Sequence, residues 1–183
     1  MKTFSLTARA NGIGRDVQTE CEVSPGFDPV GLPPDQHFPY ASFRAIWDTG
    51  ATNSVISQAV VQACGLQPIG MVRVSGVHGF ADAEQFLVNF RLPGPVTIRQ
   101  VLVTRGNLGP NCGALIGMDI ITLGDFAITN VGGVTVFSFR IPSTTTIDYV
   151  KEQNGRNRWA GGQRGTANPF QGGRMKPGKR KGR

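Results

Sequence analysis

Apolar and polar residues alternate through most of the first 140 positions with a period of two, the signature of half-buried strands. Residues 4–10 and 17–23 alternate in this way around Asn11-Gly12-Ile13-Gly14 and predict two strands joined by a turn. Residues 24–40 carry Pro25, Pro29, Pro33, Pro34 and Pro39 and predict a loop. Residues 43–47 form an apolar strand that runs straight into Asp48. A short apolar pair at 55–56 follows, and Ser57 is placed to cap a two-turn helix through Cys64 that Gly65 ends in a left-handed conformation. Residues 72–77 and 80–90 predict a hairpin around Gly76-Val77-His78-Gly79, residues 96–103 a further strand, and 106–113 a loop. A last hairpin pairs 126–129 with 134–139 across Asn130-Val131-Gly132-Gly133. The pattern as a whole predicts an all-β fold with one or two short helices.

Composition agrees: 25 glycines and 12 prolines with few aromatics suit short strands joined by turns. The net charge of +7 is unevenly spread. Residues 151–183 hold ten Lys/Arg against one acid, Glu152, whereas residues 1–150 hold nine against eleven. A near-neutral folded domain over 1–150 and a basic Gly/Arg/Lys-rich tail over 151–183 are therefore expected. From Asn154 onward the tail has almost no aliphatic residues and is expected to be disordered. A solvated tail is the plain reading; weak contact with nucleic acid or another polyanion is the functional one, because such clusters neutralise phosphates without sequence specificity.

Other classes are disfavoured. No apolar stretch approaches the roughly 20 residues of a membrane span, and the first residues lack the sustained apolar run of a signal peptide. Cys21, Cys64 and Cys112 are odd in number and widely spaced, which reads as reduced thiols in a cytoplasmic protein. With only His37 and His78 besides, no metal centre and no cofactor are expected. Gly12-x-Gly14 has no helix behind it, so a nucleotide fingerprint is unsupported.

The candidate chemistry lies at Asp48-Thr49-Gly50-Ala51-Thr52-Asn53-Ser54. A carboxylate directly after Ala45-Ile46-Trp47 is costly to bury without hydrogen bonds or a chemical use. Asp-Thr-Gly alone is also a common strand-to-turn transition. The longer block, with Leu115-Ile116-Gly117-Met118-Asp119 downstream, resembles the retropepsin-like aspartic proteases. One copy in 183 residues resembles the branch in which two identical chains each supply one aspartate.

The resemblance implies an acid-protease barrel with one catalytic loop per chain. It makes Asp48 the catalytic residue and gives Thr49, Gly50, Ala51 and Ser54 to support of the active-site loop. Gly76, Val77, His78 and Gly79 become the tip of a substrate-binding flap, with His78 itself read as a solvent-facing turn residue rather than a substrate contact. Leu115, Ile116 and Gly117 become the element packed beneath the loop, with a short helix over 118–123. Asp119 and Asp125 lack the flanking pattern of a catalytic acid, and Asp119 reads as a cap or surface residue. The implied activity is peptide hydrolysis by a homodimer: two carboxylates close together share a proton, so one takes a proton from water while the other donates. The competing expectation is a non-catalytic dimerisation module of the same fold, tethered to a polyanion by its tail.

Overall fold

A computed structural model of the protein describes residues 2–27, 39–76, 79–94 and 96–162. Among them the alternating segments form ten strands. β1 (Phe4–Arg9), β2 (Val17–Pro25), β3 (Ala41–Trp47), β4 (Val55–Ile56), β5 (Gly70–Gly76), β6 (Gly79–Leu92), β7 (Val96–Arg105), β8 (Ala114–Ile116), β9 (Asp125–Thr129) and β10 (Val136–Ile141) follow in chain order. Two short helices interrupt them, α1 (Gln58–Ala63) and α2 (Met118–Ile121). Among the described residues the fold of 1–145 is all-β with two short α-helices.

Six strands pair in the order β2-β3-β8-β4-β7-β6, and β6 returns to β2, so the sheet closes into a barrel with β5 attached to β6. Closure leaves each of these six strands paired on both sides, which satisfies its backbone groups and removes open edges. Inward residues follow the period of two: Thr19, Cys21 and Val23 on β2, Ala45 and Trp47 on β3, Phe86, Val88 and Phe90 on β6. The β6–β7 ladder shifts register between Val88 and Phe90, where Gln100 takes a φ of 54°. Buried Asn89 fills that irregularity. Its carbonyl oxygen accepts the Gln100 N–H at 2.8 Å and its amide donates to the carbonyls of Pro25 and Phe27 at 3.2 Å.

The remaining strands form a second sheet, β1-β10-β9, antiparallel throughout, with Phe4 opposite Ile141 and Val136 opposite Thr129. The two sheets meet at an aromatic cluster. Trp47 lies 4.9 Å from both Phe137 and Phe139 and 6.0 Å from Phe126, all tilted, and its indole N–H donates to Thr19 Oγ1 at 3.0 Å. Such tilted pairs add stabilisation beyond the area they bury.

Local details differ from the sequence expectation. The segment expected as a loop from residue 24 is still strand at Ser24 and Pro25, because Pro25 is the last residue of β2 and lies opposite Val88 of β6. Ser57 occupies the N-cap of α1 without capping it through its side chain. Its backbone holds the corner instead, donating to Gly113 O at 2.9 Å and accepting from Val60 N at 3.1 Å. Gly65 does take the left-handed conformation, φ 60°. β10 begins at Val136 rather than 134, because Thr135 is committed to the 10–14 turn: it bonds Ala10 N, Gly12 O and Gly14 N.

Residues 146–183 make a separate unit from residues 1–145. It contains α3 (Tyr149–Gly162), which begins with Asp148 accepting the Lys151 N–H at 2.9 Å. The boundary expected at 150 thus falls inside a helix, and residues 163–183 lie outside the described residues.

One charged cluster closes the second sheet. The Asp125 carboxylate accepts hydrogen bonds from the Arg140 guanidinium, Ser143 Oγ and the Thr144 N–H, which folds the chain after β10 back onto β9. The Ser143 hydroxyl, then the Arg140 guanidinium and the Thr144 N–H, hold its carboxyl well below the usual carboxylate range. A depressed folded-state value means that the stabilisation is whole above the unfolded value, about 3.9, and is lost as pH falls through the lower folded value. The stability gap between wild type and Asp125→Asn should therefore be constant above about pH 5 and shrink below about pH 4. Urea unfolding at stepped pH checks this; a gap that widens on acidification refutes it.

Candidate active site

β3 delivers Asp48 to the end of a buried strand, and the chain then turns through residues 48–54 before re-entering the barrel as β4. β8 runs between these two strands, parallel to β3 with Trp47 opposite Ile116, and antiparallel to β4 with Val55 opposite Leu115. The loop leaving β3 and returning on β4 therefore straddles the end of β8. Asp48 is half-buried, with Thr49 and Gly50 exposed beyond it.

Backbone bonds set the loop's shape. The Asp48 N–H donates to Ile116 O at 2.9 Å, and Asp48 Oδ1 accepts the Gly50 N–H at 2.8 Å. Oδ2 has no hydrogen-bond partner among the described residues. A side chain at residue 50 would place its Cβ 3.1 Å from Asp48 Oδ1, tighter than ordinary contact. Ser54 is fully buried, its hydroxyl donating to Asp119 Oδ1 at 2.8 Å and accepting the Gly117 N–H at 3.0 Å.

Leu115 is half-buried and Ile116 fully buried, while Gly117 lies against the loop itself. A Cβ on Gly117 would sit 2.6 Å from the carbonyl carbon of Asn53 and 3.0 Å from Ala51 O. Only glycine allows this approach. α2 starts there, and its Met118 N–H donates to Ala51 O at 2.8 Å.

Gly76 and Gly79 are paired at the end of the β5–β6 hairpin, Gly79 with φ 102°, while Val77 and His78 lie outside the described residues. One face of that hairpin carries Val72, Val74, Ala81 and Ala83. The other carries Arg73, Asp82 and Phe80, with the Arg73 guanidinium 5.5 Å above the Phe80 ring.

Asp119, expected as a cap or surface residue, is turned toward the loop, and Trp47, read only as the end of a strand, anchors it. A signal for Asp119 existed in its position two residues after the glycine that must touch the loop.

The three thiols are free. Burial, then the neighbouring acids and thiols, pushes Cys21 up to about 12, and burial also raises Cys64 and Cys112. A thiol so raised is a poor nucleophile at neutral pH. Among the described residues no group of three or more His, Cys, Asp or Glu is placed to hold a metal ion, and no helix is long and apolar enough to cross a membrane.

Gly117→Ala should destabilise the fold by about 1–3 kcal/mol, the range for forcing extra atoms into a packed site. Urea denaturation of the variant checks this, and a loss below about 0.5 kcal/mol would contradict the close approach.

No curated protein matches the chain. The crystal structure of a retropepsin-like aspartic protease from Rickettsia conorii aligns with TM-score 0.48 at 12% identity, over 77% of this chain and 97% of its own. EIAV protease complexed with the inhibitor HBY-793 aligns with TM-score 0.42 at 16% identity, over 61% of this chain and 90% of its own. Residues 40–120, which run from the start of β3 into α2, match the family model described as aspartyl protease. The match covers the loop at Asp48–Ser54 and the Leu115–Gly117 element packed against it, under half of the chain.

Proposed function

We propose that the chain is an aspartic endopeptidase that works as a homodimer, with Asp48 of each copy contributing one carboxylate. The observation that carries this is the state of Asp48: one oxygen is held by the Gly50 N–H and the other has no partner among the described residues, at the end of a buried strand. A single such loop per chain is half a dyad. Facing its mate across a two-fold axis, it becomes a pair that shares one proton.

The chemistry then needs no cofactor. The ionised carboxylate takes a proton from water as the oxygen attacks the scissile carbonyl carbon, and the protonated one gives its proton to the carbonyl oxygen. The tetrahedral diol collapses when the now-protonated carboxyl gives its proton to the amide nitrogen and the C–N bond breaks. A diol hydroxyl returns its proton to the other carboxylate as the carbonyl re-forms, which restores the shared proton. Thr49, next in the chain and exposed, meets its mate across the axis, and Gly50 leaves room for substrate backbone. The β5–β6 hairpin, ending at Gly76 and Gly79, serves as the flap and offers strand-like hydrogen bonds to an extended peptide. The basic segment 151–183 is a separate polyanion contact outside the chemistry.

Asp48→Asn keeps the shape and cannot shuttle a proton. Peptide-library cleavage by that variant should fall about 10²–10⁴-fold or more, with the circular dichroism spectrum unchanged. Undiminished cleavage ends this reading. Specific activity should also fall as the protein is diluted below its dimer dissociation constant. An active monomer in sedimentation removes the dimer.

Removal of residues 151–183 should leave cleavage of a neutral peptide unchanged and abolish salt-sensitive binding to nucleic acid. Equal nucleic-acid binding by both forms at low salt contradicts the assignment of that contact.

A further inference from the structure

The loop 48–54 is held to the segment 116–120 by a row of hydrogen bonds, and one ionisable side chain sits at its far end. Asp119 Oδ2 accepts the Ser54 N–H at 3.0 Å, and Oδ1 accepts the Ser54 hydroxyl at 2.8 Å and the Ile120 N–H at 3.0 Å. Its own N–H donates to Thr52 O at 3.1 Å. Ser54 in turn accepts the Gly117 N–H, so one buried hydroxyl joins both sides of the seam. Three donors therefore converge on two oxygens of one carboxylate.

The geometry points to Asp119 as a positioning residue for Asp48: it fixes the end of the loop whose beginning holds the catalytic carboxylate. This rests on the protease reading for its effect on rate, though not for the contact itself. The identity of the side chain matters more than its size. An asparagine has one acceptor oxygen and would turn an N–H₂ toward a donor that has no alternative, Ser54 being fully buried. An unmet buried donor costs more than a lost bond. The loop would relax away from α2, and a displacement of about 1 Å at a catalytic group is enough for a rate loss of about 10²-fold.

The test compares wild type, Asp119→Asn, Asp119→Glu, Ser54→Ala and the Ser54→Ala/Asp119→Asn double variant at concentrations where all are folded dimers. Per folded dimer, Asp119→Asn should lower kcat about 10–100-fold with KM within about two-fold. The double variant should lose less than the product of the two single losses, because the two residues share hydrogen bonds. Asp119→Glu should recover part of the rate. Hydrogen exchange supplies a readout independent of activity: amides of residues 48–54 should exchange at least ten-fold faster in Asp119→Asn while those of β6 and β7 do not change.

Unchanged kcat per folded dimer, or a loss fully accounted for by unfolding, overturns the inference. If wild type itself cleaves nothing but the exchange of 48–54 still rises on substitution, the protease reading has failed and the positioning contact stands. If Asp48→Asn is dead while Asp119→Asn matches wild type in rate and exchange, the protease reading stands and this inference falls.

Discussion

Everything near the candidate site depends on how closely the backbone at Gly117 can lie against the backbone at 51–53. With a Cβ only 2.6 Å from a carbonyl carbon, there is no room for any side chain, and the contact is backbone on backbone. That approach lets Met118 and Asp119 donate to Ala51 and Thr52, and it brings the Asp119 carboxylate within reach of Ser54. Because β8 lies between β3 and β4, the same approach also sets the height of Asp48 above the barrel. One missing methyl group thus determines the shape of a seven-residue loop whose own sequence is polar and could bend in many ways.

The second support comes from the other side. Trp47 immediately precedes Asp48 and is wedged among Phe126, Phe137 and Phe139 of the three-stranded sheet. A strand ending in a loop tends to fray; a bulky indole tied at its nitrogen to Thr19 prevents this at the position where fraying would move the carboxylate. Asp48 is therefore braced by hydrogen bonds ahead of it and by aromatic packing behind it.

Much of this was legible in the sequence because it depends on local rules. Alternation marks β1, β2 and β6, left-handed Gly65 marks the end of α1, and the Asp48–Ser54 and Leu115–Gly117 blocks mark two segments that the structure brings together. What was not legible depends on neighbours distant in the chain. The pairing of β2 with β6, which closes the barrel, joins residues about 65 positions apart and leaves no local trace. Asp119 reads as an ordinary helix-start acid until Ser54 is placed beside it. Ser57 has the residue type of a cap, but its backbone is already committed at the corner, so the hydroxyl is not used. Pro25 reads as a loop residue, yet a proline at the last position of a strand gives up no ladder bond that the strand needs.

Of the strands among the described residues, β10, the central one of the second sheet, is also the last to be synthesised. Its phenylalanines lie about 90 residues downstream of the tryptophan they enclose. At synthesis rates of roughly 5–20 residues per second, Trp47 waits roughly 5–18 s for its partners. Through most of that interval the strand leading into Asp48 has no aromatic backing. Translation order alone thereby postpones the fully braced loop until β10 has been made.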